Sequence, residues 1–246
     1  MRLIFIRHAE PDYDRRTLTE KGFREAQCLK DRILRLDPYV AGYYSSPLER
    51  ALLTAAPAME ALNKKPVVCD WLKEFSYMIK DPVTGRYPQV PWDFMPQYWT
   101  RQELFYDRDK WYEHEIFRSN PDYEPAVFAL RKGLDDILEK FGYTRCGGYY
   151  ARNDEKTEND DDVTLVFFAH LGAGFEALGY LTGISPIVLK QTFFMAPSSV
   201  TVLNAEKRMP GAAMFRIQVL GDTGHLARCG EPVSGAGAFS SVIKDL

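Results

Sequence analysis

Apolar and polar residues follow one another along the chain in blocks that predict strands and helices in turn. The predicted strands are short apolar runs bounded by turn residues, and they cover residues 2–7, 40–46, 65–70, 163–170, 198–206 and 212–222. The predicted helices repeat apolar side chains every three or four positions, and they cover residues 18–36, 47–62, 124–142 and 171–183. This order favours an α/β fold, a three-layer sandwich in which a mostly parallel sheet carries helices on both faces.

Residues at the ends of these blocks support the predicted boundaries. Thr19 is a candidate N-cap for the first helix. Ser46 can cap the second helix, with Pro47 in its first turn. Gly183 ends the fourth helix. The last two strands are expected to pair with each other.

Residues 75–123 interrupt the alternation. This segment is rich in proline and aromatic residues, and it holds three of the four tryptophans, Trp92, Trp99 and Trp111. We interpret it as an insertion, partly helical over residues 100–117, within a single domain that spans residues 1–246. Its aromatic side chains either pack onto the core or line the mouth of a pocket. Residues 149–162 are predicted to form a solvated acidic loop.

Composition narrows the classes of function. With 46% hydrophobic residues among 246, a sizeable core is expected, and a net charge of −3 argues against a general nucleic-acid or anionic-membrane binder. No apolar run approaches the roughly 20 residues that span a bilayer. The four cysteines form no CxxC pair, which argues against a cysteine zinc site. The apolar start is too short for a signal peptide, so we expect a cytoplasmic protein with reduced thiols.

Several residues with chemical potential follow the predicted strands. Arg7 and His8 stand at the end of the first strand, and His170 ends another. Ligands of α/β sheets bind beyond the carboxyl ends of strands, so these three side chains could meet in one crevice, although each alone is as easily structural. Arg50, in the first turn of a helix, is placed to grip an anion or is a surface arginine. Glu74, beside aromatic residues, is a candidate proton donor or a surface carboxylate.

Six motifs together carry a resemblance to a known family. They are "FIRHAE", "LTEKGFREA", "SSPLERALLTA", "WLKE", "FFAHLGAG" and "GDTGHL". In this order they resemble the histidine phosphatase superfamily, in its phosphoglycerate-mutase-like branch. The resemblance covers about residues 1–74 and 124–226, and it leaves the insertion unmatched.

The resemblance implies a role for each candidate residue. His8 would be the nucleophile that becomes phosphorylated. Arg7, Arg50 and His170 would form a cationic pocket that binds the phosphoryl group. Glu74 would protonate the leaving oxygen and then deprotonate the hydrolytic water. No metal and no cofactor is implied, because fixed cations supply the positive charge that phosphoryl transfer requires.

The sequence departs from the family pattern near the first motif and in "FFAHLGAG". Ala9 stands where glycine is common, and Leu171 separates the late histidine from its glycine. The asparagine that often helps to bind phosphate is absent. Tyr13, Asp14 and Arg15 are the alternatives for its place, and of these we expect Tyr13 to bind substrate.

The resemblance implies a histidine acid phosphatase-like enzyme that hydrolyses a phosphate monoester through phosphohistidine. The substrate would be a phosphorylated small molecule, and residues 75–123 would form a cap that sets its preference. One alternative is a phosphoglycerate-mutase-type isomerase, although the arginine-rich segment that mutases use for a second phosphate is not found. Another is a non-catalytic phospho-ligand-binding protein. The sequence predicts no oligomeric state.

Overall fold

The computed structural model describes residues 1–243. The strands are β1 (Arg2–Arg7), β2 (Pro11–Asp12), β3 (Thr17–Leu18), β4 (Val40–Ser45), β5 (Val67–Val68), β6 (Tyr143–Cys146), β7 (Tyr149–Arg152), β8 (Thr164–Ala169), β9 (Val200–Met209) and β10 (Ala212–Asp222). The α-helices are α1 (Glu20–Leu36), α2 (Glu49–Leu62), α3 (Pro96–Trp99), α4 (Glu115–Arg118), α5 (Tyr123–Lys140), α6 (Asp154–Thr157), α7 (Leu171–Thr182), α8 (Pro186–Thr192) and α9 (Gly224–Cys229). None of the helices in this part of the chain combines the length and apolar character needed to cross a membrane.

An eight-stranded sheet organises the described residues, in the order β5-β4-β8-β1-β9-β10-β7-β6. Strands β5, β4, β8 and β1 are mutually parallel. Every later pairing, from β1–β9 to β7–β6, is antiparallel. Because direction reverses at each of these steps, only β9 and β7 oppose the rest, and six of the eight strands run the same way. The predicted mostly parallel α/β sheet is confirmed, and so is the pairing of its last two long strands.

Helices cover both faces of the parallel strands because β1 alternates its side chains. Leu3 and Phe5 point into a large cluster that includes the buried faces of α5 and α7. Ile4 and Ile6 point the other way, into a cluster with α1 and α2. All four side chains are at least 97% buried, and each contributes about 1.5–3 kcal/mol of hydrophobic stabilisation. The three-layer arrangement therefore follows from the period of two in a strand that is apolar on both sides.

The predicted acidic loop is wrong in two respects. Residues 149–152 form strand β7, whose Tyr150 is fully buried and donates a hydrogen bond from its hydroxyl to Asp135 at 2.9 Å. Asp160 is buried as well, and it accepts from the Met1 ammonium at 3.1 Å and from the Tyr143 hydroxyl at 2.6 Å. The run of acidic residues after the short strand masked its alternation.

The second helix begins two residues later than predicted, at Glu49. Leu48 has extended backbone angles, φ −71° and ψ 131°, and it occupies the N-cap position. Ser46 does not cap the helix. Its hydroxyl oxygen instead accepts a hydrogen bond from the Leu48 backbone N–H at 3.2 Å, within a turn that leads from β4 into the helix.

The segment 75–123 contains only short helices, namely α3, α4 and single 3-10 turns at 103–106 and 111–113, in place of a continuous helical stretch. Its aromatic side chains belong largely to the main hydrophobic cluster. Trp111 and Phe105 are fully buried there, and Trp111 packs edge-to-face on Tyr123 of α5, with the ring centroids 5.7 Å apart. Most of these aromatic residues therefore serve as core, which was one of the two interpretations of the segment.

Candidate active site

Three parallel strands end side by side at the candidate site. In β1 and β8, Arg7 pairs with Ala169, so the residues that follow, His8 and His170, leave the sheet next to each other. Their imidazole centroids are 5.1 Å apart, with the rings inclined at 57°. Ser45 ends the neighbouring strand β4, which delivers Ser46 and the start of α2 to the same edge. The fold thus brings together side chains that are more than 160 residues apart in sequence.

The hydrogen bonding of His8 defines its tautomer. Its Nδ1 lies 2.7 Å from the backbone oxygen of Ala9. A carbonyl oxygen only accepts, so Nδ1 carries the proton and Nε2 keeps its lone pair. Burial, and then the charge of Arg7, lower the pKa of His8 well below its usual range. His8 is therefore a neutral imidazole at pH 7 with a free nucleophilic nitrogen.

His170 is held through its other ring nitrogen, Nε2, whereas His8 is held through Nδ1. Its Nε2 lies 2.7 Å from the Ser46 hydroxyl oxygen, which already accepts from the Leu48 N–H. A hydroxyl both donates and accepts, so this contact is compatible with a ring proton on either Nε2 or Nδ1. That Nδ1 is buried, and no atom of the described residues partners it. Burial, followed by the neighbouring His8, Arg50 and Arg7, lowers the pKa of His170 well below its usual range.

Arg7 is a buried cation held by two backbone carbonyls. Its Nη1 donates to Met195 at 2.6 Å and its Nη2 donates to Ala236 at 2.9 Å. Its Nε is buried and has no partner among residues 1–243. Burial lowers the pKa of Arg7 to about 10, so the guanidinium is still charged at neutral pH. Two of its nitrogens are thereby fixed to the protein, and one is left for a ligand.

Arg50 approaches from the first turn of α2. Its guanidinium carbon lies 5.6 Å from the centre of the Tyr13 ring, in a cation–π contact. The Arg50 Nε is also buried, with no partner in the described chain. Thr54, one turn later, donates to the Arg50 carbonyl at 2.7 Å and accepts from the Ala9 N–H at 2.8 Å. This bridge fixes the first turn of the helix to the loop that follows His8.

Of the three alternatives in the loop after β1, Tyr13 is the one that contacts a candidate site residue, through the Arg50 stacking. Its side chain is 67% exposed, so it stands at the rim. Asp14 and Arg15 are exposed, and the Arg15 backbone N–H donates to Asp12 at 3.0 Å.

Glu74 joins the site as a cap on α7. Its Oε1 accepts from the backbone N–H groups of Ala173 and Phe75, both at 2.9 Å, and its Oε2 accepts from Gly172 at 3.3 Å. A Cβ at Gly172 would come within 2.7 Å of Oε1 and 2.8 Å of the Trp92 ring. Only glycine therefore permits this close approach. Glu74 lies at the helix end that immediately follows His170, and its negative charge acts to raise the pKa of Arg7.

Sequence reasoning missed the residues that hold the site in shape. Ser46 and Thr54 both lie in the "SSPLERALLTA" motif, so their types were a usable signal for polar contacts. The carbonyls of Met195 and Ala236 left none, because any residue type supplies a carbonyl. Within the described chain, no group of three or more histidine, cysteine or acidic side chains is arranged to hold a metal ion.

Comparison with known proteins finds one matching family model and solved structures with a similar fold. The model of the histidine phosphatase superfamily, branch 1, matches residues 3–106. No curated protein matches the sequence. Among solved structures, a mycobacterial glucosyl-3-phosphoglycerate phosphatase shares 17% identity at a TM-score of 0.58, over 89% of this chain and 98% of its own.

Two further solved structures are similar to this chain to about the same degree. A phosphoserine phosphatase mutant from Entamoeba histolytica, in complex with phosphoserine, gives 17% identity and a TM-score of 0.53, over 92% of this chain and 98% of its own. A structure named mycobacterial hydrolase 2 shares 18% identity at a TM-score of 0.59, over 94% of this chain and 97% of its own. At these identities the likeness establishes the fold, and the family model adds the first motifs. Residues 3–106 of the chain are thus similar to the histidine phosphatase superfamily, branch 1, and the fold over about nine-tenths of the chain is similar to that of solved phosphatase structures.

Proposed function

We propose that this protein is a metal-independent phosphatase that hydrolyses a phosphate monoester through a phosphohistidine at His8. One observation carries the proposal: the nitrogens Arg7 Nε, Arg50 Nε and His170 Nδ1 are buried and have no partner in the described chain. A buried polar atom without a hydrogen-bond partner costs about 1–3 kcal/mol, so three such nitrogens favour a ligand that can bond to them. A phosphoryl group, with several acceptor oxygens and negative charge, is such a ligand.

In the first half-reaction, the lone pair of His8 Nε2 attacks phosphorus and the bond to the ester oxygen breaks. Glu74 must enter this step in its protonated form; the leaving oxygen takes that proton, and phosphohistidine forms. The neutral tautomer is suited to this step because the Ala9 carbonyl holds the proton on Nδ1. As Nε2 bonds to phosphorus, that carbonyl also stabilises the positive charge that develops on the ring.

In the second half-reaction, water attacks the phosphorus of phosphohistidine. Glu74 accepts a proton from the water, the N–P bond breaks, and Nε2 regains its lone pair. The leaving ester oxygen and the attacking water both occupy the position opposite His8. The same Glu74 carboxyl group can therefore protonate the first and deprotonate the second. Atoms and charge return to the starting state with one ester hydrolysed.

The surrounding charges stabilise the transition state of both steps. Arg7 and Arg50 are fixed cations, and they need no reorganisation when charge spreads over the phosphoryl oxygens. A bound phosphate dianion also favours the protonated form of His170, which burial and the neighbouring positive charges disfavour. Removal of one such donor is expected to cost about 2.7–4 kcal/mol of transition-state stabilisation.

A phosphorylated small molecule is the substrate class that we propose. The structures with similar folds include a glucosyl-3-phosphoglycerate phosphatase and a phosphoserine phosphatase, and the substrates they are named for are small phosphate monoesters. Trp92 supports a role for the insertion as a cap, because it packs against the start of α7 beside Glu74. The four free cysteines fit a cytoplasmic location.

The test is hydrolysis of an aryl phosphate in the presence of EDTA. The wild-type protein should release phosphate, and His8→Asn should reduce the rate to background while its circular dichroism is unchanged. His114→Asn is the matched control, because His114 lies outside the site and caps α4, a position that asparagine also fills. A His8→Asn variant that retained most of the rate would refute the proposed nucleophile.

A further inference from the structure

Helix α1 is fastened to the C-terminal segment by a ladder of ion pairs. Arg32 binds Asp222 at 2.7 Å, before the start of α9. About two and three turns earlier on α1, Arg24 and Lys21 both bind Glu231 at 2.8 Å, after the end of α9. The two segments therefore run antiparallel. Position 28 of α1 falls opposite the last turn of α9.

A pair of cysteines occupies this central position. Cys28 is half-buried and packs against a small cluster that contains Leu226 of α9 and Val233. Cys229 is exposed and follows Leu226 by about one turn, so it lies on the same side of α9, and its thiol is near enough to raise the pKa of Cys28. One thiol is thus open to reagents while its neighbour is shielded beside it.

We propose that Cys28 and Cys229 form a reversible disulfide when the protein meets a low-molecular-weight disulfide such as oxidised glutathione. The cross-link joins α1 to the C-terminal segment. The proposal does not depend on phosphatase activity. Reversible disulfides of this kind in a reducing compartment are usually redox-sensing, in contrast to the permanent cross-links of secreted proteins.

The exchange is balanced in two steps. Cys229 loses its proton, and its thiolate attacks one sulfur of oxidised glutathione, which breaks that disulfide and releases one glutathione. Cys28 then loses its proton and attacks the Cys229 sulfur of the mixed disulfide, which releases the second glutathione. Two protein thiols are oxidised to one disulfide, and one glutathione disulfide is reduced to two thiols.

The environments of the two thiols set the order of these steps. Burial, and then the adjacent Cys229 thiol, raises the pKa of Cys28 to about 12, so Cys28 is a poor first nucleophile. The exposed Cys229 reacts first. Once Cys229 is in the mixed disulfide, its thiol no longer opposes ionisation of Cys28, whereas burial and the charges of Glu231 and Glu25 still do. Closure should accordingly accelerate as pH rises.

The cross-link would act on a segment that reaches the candidate active site. Beyond Glu231, the Ser234 hydroxyl donates a hydrogen bond to the Glu10 carboxylate. Two residues later, the Ala236 carbonyl accepts from Arg7 at 2.9 Å. A disulfide at residue 229 therefore tethers the chain that supplies this contact, and it should slow amide hydrogen exchange in α9 and the residues after it.

Peptide mapping without reduction tests the proposal. After treatment with oxidised glutathione, the wild-type protein should contain a peptide pair linked through Cys28 and Cys229, which reductant reverses. Cys146 is the internal control, because it is exposed and its thiol contacts the Tyr149 hydroxyl at 3.3 Å, with no cysteine nearby in the described chain. It should accumulate a stable glutathione adduct.

The Cys28→Ser variant separates cross-linking from simple adduct formation. In this variant Cys229 should keep its glutathione adduct as Cys146 does, and the slowed hydrogen exchange after oxidation should disappear. A wild-type protein in which Cys229 carries a stable adduct, or remains unmodified, with no link to Cys28, would overturn the proposal. These readouts use no substrate, so they are independent of the test of His8.

Discussion

Gly172→Ala tests the position of Glu74 without altering any charge. The added Cβ would lie 2.7 Å from Glu74 Oε1, whereas ordinary van der Waals contact begins at 3.4 Å, so the carboxylate must retreat by about 0.7 Å. The Trp92 ring, 2.8 Å from the same Cβ, blocks an easy alternative for the methyl group. The retreat stretches or breaks the hydrogen bond from the Ala173 N–H, which is 2.9 Å long.

The expected loss follows from the role proposed for Glu74. Misplacing a catalytic group by about 1 Å can reduce a rate about 10²-fold, within the 10²–10⁴-fold range of general acid–base catalysis. We therefore expect kcat/KM for an alkyl phosphate to fall about 10²-fold, which corresponds to about 2.8 kcal/mol. The donors Arg7, Arg50 and His170 are untouched, so inorganic phosphate should inhibit the variant at nearly its usual concentration.

The assay compares two leaving groups in pre-steady-state kinetics. A nitrophenolate departs without a proton, so the first half-reaction should give a normal burst, followed by slow turnover because water activation is impaired. Gly174→Ala is the matched control on the same helix, since its Cβ meets only the flexible end of Met195, at 3.1 Å. Equal alkyl phosphatase activity in the two glycine variants would refute the role of Glu74.

The remaining predictions concern pH and the insertion. Burial lowers the pKa of His225 from 6.5 to about 4, so between these pH values the unfolded state binds a proton that the folded state does not. The free energy of unfolding should therefore fall by about 3 kcal/mol as pH drops from 6.5 to 4. His225→Gln should remove this loss. Burial raises the pKa of Glu25 from 4.5 to about 7, so between these pH values the folded state keeps a proton that the unfolded state releases. The free energy of unfolding should therefore fall by about 3 kcal/mol as pH rises from 4.5 to 7. Glu25→Gln should remove that loss. Urea unfolding at several pH values measures both slopes, and unchanged slopes would contradict the two assignments. Trp92→Ala should change the ranking of large and small phosphate esters more than Trp99→Ala, because the Trp99 ring packs at a tilt on Tyr106 within the insertion. An unchanged ranking would argue against the cap.

The central strands and their ends could be predicted because local signals determine them. An apolar run that stops at Arg7 has to leave the sheet there, and the same holds at Ala169 before His170. Two parallel neighbours then place their next residues together. The helix ends at Thr19 and Gly183 were equally local, since a hydroxyl cap and a left-handed glycine, with φ 76°, each act within one turn.

Other features depend on contacts that a sequence pattern does not carry. Strand β7 is stabilised by pairing with β6 and β10, and its four residues are too few to establish a period. The Ala236 carbonyl reaches Arg7 across 229 positions and uses only backbone. Ser46 was recognised as polar at a helix start, but its contact with His170 required the register of two strands.

Trapping the covalent intermediate tests the central claim most directly. The protein is mixed with a ³²P-labelled phosphate monoester, quenched in alkali, where phosphohistidine survives, and digested for peptide mapping. With an aryl phosphate, whose leaving group departs without a proton, Glu74→Gln should slow hydrolysis of the intermediate and raise its yield. The account predicts label on the peptide that contains His8, approaching one phosphate per protein, and none in His8→Asn. Turnover without label at His8, or label on a different residue, would contradict it.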